Sequence, residues 1–415
     1  MEDPQKPSVS EEDVSAVLKR RLKSDTEVES FSLDMLGEWV GNCGDHAILN
    51  VTLKSNNESP ARYSFFVKLY PRLEFVIEFI EGNGSFKKEI FVYKLFDLMH
   101  DEQIKILSDC VPMCYLTTPY KYLVLDNLAE EKYQSPDKHQ VLDYDTVKVV
   151  LEALAKLHAS TLIYEEKKSC RLIDLYGEDF AETYFNDRED FPNKEGLDAA
   201  LKGIVKCIEL FDFSEKLLSG KDFKTVVEEV CARIYALAKP SKKFRNVVCH
   251  GDIWVTNVLV KRDDCGKPVK CRLVDFQCAR YTPPAQDVMS FIHLTTSRDF
   301  RRKYMYNLIG IYYTSLEKHV TLAGYDMKTV IPFDEFLASC EEQKVFGLVQ
   351  TGIYFPLILL RTKVIKDYFG NKESNREALL EDRSILVREN MDDDDAYKNR
   401  IRDCIQDLKD YCDYL

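Results

Sequence analysis

The feature that most constrains the fold is a change of pattern near residues 126–127. Before this point, short β-branched and aromatic runs are separated by turn clusters, which is typical of strands. The runs at residues 46–55 and 61–70 flank one such cluster and predict a hairpin. After this point, apolar residues recur mainly at helical spacing. The sequence therefore predicts an α+β fold in two lobes, the first small and β-rich, the second large and helical.

Individual elements refine this layout. One helix and two further strands are predicted in the first lobe, at residues 86–99, 112–116 and 120–125. In the second lobe, helices are predicted after Asp145 as N-cap, over 223–237 and from 287 onward, and short strands at 258–261 and 271–274. The predicted organisation is an N-terminal extension at 1–30, an N-lobe at 31–127 and a C-lobe at 128–415.

Charge and cysteine usage limit the possible functions. Among 415 residues, 57 Lys and Arg face 70 Asp and Glu, a formal net charge of −13. Such a chain is poorly suited to binding nucleic acid. The N-terminus shows no signal-peptide pattern, and the 13 cysteines form no C-x-x-C pair, so we expect a cytoplasmic protein with reduced thiols. The apolar run at 347–360 is too short to span a bilayer and predicts a buried helix interrupted near Pro356.

The strongest signal for chemistry lies between residues 247 and 277. A strand-like run leads into His-Gly-Asp at 250–252, then come Asn257 and, before Phe-Gln, Asp275. Phosphoryl transfer needs a carboxylate beside the attacking hydroxyl, and an amide and a second carboxylate to hold Mg²⁺ against the nucleotide phosphates. This pattern therefore favours phosphoryl transfer.

An upstream lysine extends this set. Lys68 interrupts an otherwise apolar predicted strand. A buried lysine is costly unless it is paired. The expected partner is a phosphate group or a carboxylate.

These motifs resemble a known family. H-G-D-x-x-x-x-N at 250–257, followed by D-F-Q, is similar to the aminoglycoside phosphotransferase and choline kinase group, and more narrowly to the ecdysteroid kinase-like (CHK kinase-like) family. F-F-V-K at 65–68, F-K-K-E-I-F-V-Y at 86–93 and L-A-K-L-H-A-S at 154–160 resemble further segments of that family. The resemblance runs from about residue 31 to 360. It implies a protein-kinase-like fold with an antiparallel N-lobe sheet and a helical C-lobe.

The resemblance also implies ATP and Mg²⁺ as cofactors. Asp252 corresponds to the catalytic base, and Asn257 and Asp275 correspond to the Mg²⁺ ligands. Lys68, held by Glu89, corresponds to the lysine that binds the α- and β-phosphates. The implied reaction is phosphorylation of a small-molecule hydroxyl, with no nucleic-acid partner and no membrane span.

Supporting positions follow from the same resemblance. The adenine slot is expected at 123–128, where backbone groups around Leu125, Asp126 and Leu128 would read the base. His250 is expected to brace the catalytic loop. Asp287 matches an acidic position that anchors that loop, and as a bare sequence position it also suits a helix N-cap.

The sequence departs from the protein-kinase pattern in its glycines. Gly41 and Gly44 permit close approach of backbone to phosphate, but they do not form G-x-G-x-x-G. Gln277 replaces the glycine of D-F-G, Gly251 replaces the arginine of H-R-D, and no A-P-E element follows. These differences point to a small-molecule kinase rather than a protein kinase.

The acceptor remains open at this point. The resemblance implies an ecdysteroid or related sterol alcohol, whereas the acidic composition leaves open a cationic acceptor of the choline or aminoglycoside type. The irregular glycine loop leaves open an inactive ligand-binding pseudokinase. We expect the acceptor to lie against the insertion at 165–217 and the helices after residue 287. Five aromatic residues of the insertion suit either an apolar wall or a local core: Tyr176, Phe180, Tyr184, Phe185 and Phe191.

Overall fold

A five-stranded antiparallel sheet forms the first part of the protein. The structure is a computed structural model and describes residues 8–37, 45–54, 61–72, 74–361, 363–365, 368 and 376–415. The strands are β1 Val28–Met35, β2 Asp45–Leu53, β3 Arg62–Leu69, β4 Cys114–Thr118 and β5 Tyr122–Asp126. Their order in the sheet is β1-β2-β3-β5-β4. The predicted hairpin is β2–β3. The predicted strands at 112–116 and 120–125 are β4 and β5, each of which begins two residues later than predicted.

Three helices accompany this sheet: α1 Glu11–Leu22, α2 Glu74–Asn83 and α3 Ser85–Asp101. The helix predicted at 86–99 is α3. The sequence pattern did not indicate α1, which lies in the predicted N-terminal extension, or β1, which begins within it. Val14, Val17 and Leu18 of α1 are buried in the same hydrophobic cluster as β2, β3 and Tyr115 of β4. The N-terminal helix is therefore part of the core of the sheet.

Helices dominate the remainder of the chain. Those before residue 250 are α4 Tyr144–Lys168, α5 Leu172–Tyr176, α6 Lys194–Leu210, α7 Phe223–Ala232 and α8 Ile234–Leu237. Those after it are α9 Ala285–Thr295, α10 Arg298–Leu322, α11 Met327–Val330, α12 Phe333–Ile358, α13 Ser384–Asn390 and α14 Asp395–Asp413. A π-helical turn, Glu377–Glu381, precedes α13.

Three of the predicted helices differ from the observed ones. Asp143, rather than Asp145, is the N-cap of α4, and its carboxylate accepts a hydrogen bond from the Thr146 amide. The helix predicted at 223–237 is divided into α7 and α8. The apolar run at 347–360 belongs to α12, which continues through Pro356 and ends at Ile358, because a proline in the last turn removes only one of its final hydrogen bonds.

Short strands lie between these helices: β6 Tyr133–Gln134, β7 Val247–Cys249, β8 Val258–Arg262, β9 Pro268–Leu273 and β10 Arg280–Thr282. β6, β8 and β9 form one antiparallel sheet, and β7 pairs with β10. β8 and β9 are the strands predicted at 258–261 and 271–274. These small sheets fix the ends of the loops that carry His250, Asp252 and Asp275.

The predicted α+β class is confirmed, with an antiparallel sheet followed by a mostly helical part. One hydrophobic cluster runs from α3 through α4 to α9 and α10, and a second lies between α6, α7, α12 and α14. Within the described ranges, no helix combines the length and the apolar character needed to cross a bilayer. The boundary of the lobes at residues 126–128 stays a prediction.

The packing of α1 can be tested by truncating one of its buried side chains. Leu18 is 1% exposed within the core of the sheet. We expect Leu18→Ala to lower the free energy of unfolding by about 2–5 kcal/mol, because it leaves a cavity in that core. Urea denaturation measures this change. Lys19→Ala, at an exposed position of the same helix, is the control, and equal effects of the two substitutions would contradict the packing of α1.

Candidate active site

The ammonium group of Lys68 joins three separate elements. Lys68 lies on β3 and is 7% exposed. Its Nζ donates hydrogen bonds to Oε2 of Glu89 on α3 at 2.6 Å and to Oδ1 of Asp275 after β9 at 2.8 Å. Burial lowers the pKa of Lys68, but the two carboxylates outweigh burial and raise it above its ordinary value. The structure thus brings together three of the residues singled out in the sequence.

Asp275 is the most exposed of these three residues. Its φ of 69° lies in the left-handed region, where Asp is one of the few side chains found. Its side chain is 30% exposed. Burial acts to raise the pKa of Asp275, but the charge of Lys68 holds it below the ordinary value. Asp275 therefore presents a negative carboxylate that is only partly enclosed.

The residue after Asp275 ties its loop to α3. The amide of Phe276 donates to Oε1 of Glu89 at 3.3 Å. The Phe276 ring packs on Phe96 of α3, with a centroid distance of 5.0 Å, and on the His250 ring at 4.8 Å. The backbone and the side chain of Phe276 thus fix the position of Asp275 relative to α3 and to the loop of His250.

Asp252 and Asn257 face each other across one short loop. Nδ2 of Asn257 donates to the backbone oxygen of Asp252 at 2.8 Å and to its Oδ2 at 3.0 Å. Oδ1 of Asp252 is buried and accepts no well-aligned hydrogen bond among the described residues. Burial raises the pKa of the Asp252 carboxyl to about 7, the charge of Asp275 adds to this rise, and the nearby Tyr354 hydroxyl acts to lower the pKa. The backbone oxygen of Asn257 accepts from the Val274 amide at 3.0 Å, so the loops of Asp252 and Asp275 are in direct contact.

Asp287, at the start of α9, holds the beginning of the Asp252 loop. Its carboxylate accepts from the amides of His250 at 2.6 Å and Gly251 at 3.0 Å, and from Nε2 of His158 at 3.1 Å. Burial acts to raise the pKa of Asp287, but the hydrogen bond from His158 holds it below the ordinary value. Asp287 thus accepts two loop amides, a contact that an ordinary helix N-cap does not make.

His250 links the loops of Asp252 and Asp275. Its Nε2 is 2.8 Å from the backbone oxygen of Val274, which can only accept, so the proton lies on Nε2. Its Nδ1 accepts from the Asp252 amide at 3.3 Å. Burial lowers the pKa of His250. The neutral ring therefore acts as a brace between two loops.

Gly251 is required by its surroundings. Its φ is 80°, and a Cβ at this position would lie 2.0 Å from the backbone oxygen of Cys278. The space beside it holds Arg280, whose Nη1 donates to the Gly251 oxygen at 3.0 Å. Arg280 is fixed in turn by Glu182 at 2.9 Å. An arginine distant in sequence thus supports the loop at the point where the H-R-D motif has its own arginine.

The predicted adenine-slot residues lie on or after β5. Leu123 pairs with Lys68 across β3 and β5, so the segment lies next to the lysine. Leu125 and Leu128 are buried. The Asp126 side chain is engaged elsewhere, since it accepts hydrogen bonds from the Tyr115 hydroxyl and the Met113 amide. Gly41 and Gly44 lie outside the described residues.

The sequence profile of the ecdysteroid kinase-like family matches residues 46–325. This stretch is more than half of the chain, and it contains Lys68, Glu89, Asp252, Asn257 and Asp275. The chain belongs to the ecdysteroid kinase-like family. The family resemblance, the kinase-like fold and the class of small-molecule kinase predicted from the sequence are therefore confirmed. Membership of a kinase family implies ATP as the phosphoryl donor and a small molecule as the acceptor.

Two solved structures are similar to this ecdysteroid kinase-like chain. The first is a choline/ethanolamine kinase family protein from Mesorhizobium loti, with 12% identity, a TM-score of 0.36 and coverage of 90% of this chain and 92% of that one. The second is a microcompartment-associated aminopropanol kinase, with 10% identity, a TM-score of 0.39 and coverage of 95% and 98%. A search of curated proteins finds no match.

A cavity of about 160 Å³ lies beside Asp252 in this ecdysteroid kinase-like chain. Asn83 and Ser85, at the junction of α2 and α3, line one side of it, and α12 lines another. The remaining walls combine apolar and aromatic side chains with one cation, including Tyr184, Trp254, Ile353, Tyr354, Leu357 and Arg383. The cavity therefore lies between the sheet-containing part and the helices.

Sequence reasoning found only part of this cavity. Of the five aromatic residues considered in the insertion, only Tyr184 lines the cavity. Phe180, Phe185 and Phe191 are buried, and Tyr176 packs on the Phe91 ring. No motif singles out Tyr354 or Arg383, because tertiary packing alone brings them to the cavity beside Asp252. Trp254 could have been singled out, since it lies inside the H-G-D-x-x-x-x-N motif.

The requirement for glycine at 251 can be measured directly. We expect Gly251→Ala to lower the free energy of unfolding by about 2 kcal/mol more than Gly266→Ala, because only the first Cβ meets backbone. Gly266 is the matched control, since its φ is 78° and nothing lies within 4 Å of its added Cβ. Equal losses in urea denaturation would show that the loop can move away from Cys278, contrary to this structure.

Proposed function

We propose that this chain transfers the γ-phosphoryl group of ATP to a hydroxyl of a small alcohol, with an ecdysteroid or related sterol alcohol as the leading acceptor. The observation that carries the proposal is the convergence of Lys68, Asp252, Asn257 and Asp275 around one site. The cavity beside Asp252 is the proposed acceptor site.

Lys68 is the proposed ligand of the α- and β-phosphates. Its position is supported by the hydrogen bond to Glu89, which orients the ammonium from the side of α3. Leu125, Asp126 and Leu128 are proposed to bind adenine through their backbone, since the Asp126 side chain is occupied by Tyr115. Gly41 and Gly44 are proposed to cover the phosphates.

Asn257 and Asp275 are the proposed Mg²⁺ ligands. Both offer oxygen atoms, which this cation prefers. Nδ2 of Asn257 makes the contact to Asp252, and its Oδ1 accepts from the Thr256 hydroxyl at 3.3 Å and keeps a second lone pair for a metal ion. Asp275 is ionised and partly open to solvent. The donor set therefore fits Mg²⁺. When bound, Mg²⁺ would neutralise charge on the transferring phosphates.

Asp252 is the proposed catalytic base. Its Oδ2 is oriented by Asn257, while Oδ1 accepts no well-aligned hydrogen bond in the described part of the chain and is available to an acceptor hydroxyl. A carboxylate with a pKa near neutrality is well matched to accepting a proton at neutral pH. His250 and Asp287 are proposed to keep this carboxylate in place through the loop.

The cavity favours an apolar acceptor over a cationic one. Aromatic faces such as those of Tyr184 and Trp254 can bind a quaternary ammonium. However, Arg383 adds a positive charge to the same wall, which opposes a choline-like group. At about 160 Å³, the cavity is smaller than the roughly 300–1,000 Å³ of typical ligand pockets. A sterol alcohol would therefore enter it with one end only.

An inactive pseudokinase is the second candidate considered. The absence of a metal-binding residue or of the base would favour it. Instead, Lys68 donates a hydrogen bond to Asp275, and Asn257 donates one to Asp252. The proposal of an active enzyme is therefore preferred.

The proposed base can be tested by Asp252→Asn, which removes the proton acceptor and keeps the shape of the side chain. With Mg-ATP and a panel of sterol alcohols, choline and sugar alcohols, we expect kcat to fall by about 10²- to 10⁴-fold. Mass spectrometry of the added phosphate measures turnover. Asp264→Asn, at an exposed turn position, should leave turnover unchanged. Full turnover by a folded Asp252→Asn variant would refute the assignment of the base.

A further inference from the structure

The described part of the chain contains three buried arginines, and one of them lacks an acidic partner. Arg280 pairs with Glu182, and Arg301 pairs with Asp407. Arg383 is 6% exposed, yet no described carboxylate lies within ion-pair distance of it. A buried charge without a counter-charge is costly, so its position calls for an explanation.

The hydrogen bonds of Arg383 leave part of its guanidinium unused. Nη1 donates to the backbone oxygen of Ile353 at 3.2 Å, and Nη2 donates to that of Gly196 at 3.1 Å. Nε is buried and has no partner among the described residues. A guanidinium offers five N–H donors, and neutral carbonyl groups compensate its charge only in part.

Arg383 lines the same cavity as Asp252. Burial raises the pKa of Tyr184, and the charge of the Arg383 guanidinium and its hydrogen bond to the Tyr184 hydroxyl oppose that rise. The lining also includes the apolar or aromatic side chains of Trp254, Leu357 and Ile358, and neutral polar side chains such as those of Asn83 and Gln277. Among the lining residues, Asp252 is the one carboxylate and Arg383 is the one cation.

We infer that Arg383 determines acceptor specificity by binding a second oxygen on the acceptor. The acceptor is then an apolar alcohol that also carries a carbonyl or carboxylate group. This inference rests on the proposed function, because it takes the cavity beside Asp252 as the acceptor site. The oxygen would receive the unused donors of Arg383 and compensate its charge, whereas an ammonium group would be repelled.

Binding of small probe alcohols tests this inference. The probes share a benzyl alcohol skeleton and differ in the para substituent, which is a carboxylate, an acetyl, a methyl or an aminomethyl group. Trp254 lines the cavity, and the chain has only 2 tryptophans. In a Trp39→Phe background, fluorescence therefore reports on Trp254 alone. We expect the carboxylate and acetyl probes to bind about tenfold or more tightly than the methyl probe, since hydrogen bonds to a charged group are strong.

Substitution of Arg383 should remove this preference. In Arg383→Met, we expect all four probes to bind within about twofold of one another, whereas Arg383→Lys should retain part of the preference because it keeps the charge without the planar donors. Arg400→Met is the matched control. Arg400 also donates to a backbone oxygen, that of Leu294, but it does not line the cavity, so the preference should remain.

Two results would overturn the inference. One is equal binding of the methyl and acetyl probes to the protein with Arg383 intact, which needs no folded Arg383 variant. The other is an unchanged preference in a folded Arg383→Met variant. Asp252→Asn separates this inference from the proposed function, because it should keep the binding preference and lose phosphoryl transfer. Phosphoryl transfer retained by Asp252→Asn would count against Asp252 as the base. The binding preference among the probes would still decide the role of Arg383.

Discussion

One buried ammonium group couples the elements on which the rest of the site depends. Lys68 draws together a strand, a helix and a loop, because its charge can remain inside the protein only if carboxylates surround it. Glu89 and Asp275 meet that requirement from opposite sides. Two carboxylates contact one ammonium, and Asp275, whose pKa is lowered by the charge of Lys68 against the effect of burial, is the member open to solvent. The same arrangement that stabilises the lysine therefore leaves a carboxylate ready for a cation.

The neighbouring loop is held by a different set of contacts. Asp287 accepts two of its amides, His250 bridges it to Val274, and Arg280 donates to the backbone oxygen of Gly251. These contacts place the Asp252 carboxylate in the lining of the cavity. Arg383 adds a positive charge to the lining of the same cavity. The protein thus separates the part of the site that would bind nucleotide from the part that would select an acceptor.

The parts of the site that could be predicted from sequence are those coded by local spacing. Asp252 and Asn257 lie in one short loop, and Asp275 directly follows a strand that the sequence pattern predicts. These three residues can therefore be identified from local sequence spacing, without knowledge of the tertiary structure. Lys68 could be inferred because a lysine in an apolar strand needs a partner. Arg280 and Arg383 could not, since each is one basic residue among many until packing brings it to its partners. Likewise, α1 gave too weak an apolar pattern to be separated from an extension, and its burial depends on the sheet.

We propose that Asp275 shares its carboxylate between Lys68 and a Mg²⁺ ion that accompanies ATP. Calorimetric titration of ATP with and without Mg²⁺ tests it most directly, on the intact protein and on Asp275→Asn. Lys68 keeps Glu89 as a partner in this variant, so the lysine should remain in place. We expect Mg²⁺ to tighten ATP binding to the intact protein and to have little effect on Asp275→Asn. An equal effect of Mg²⁺ on both proteins would contradict this proposal.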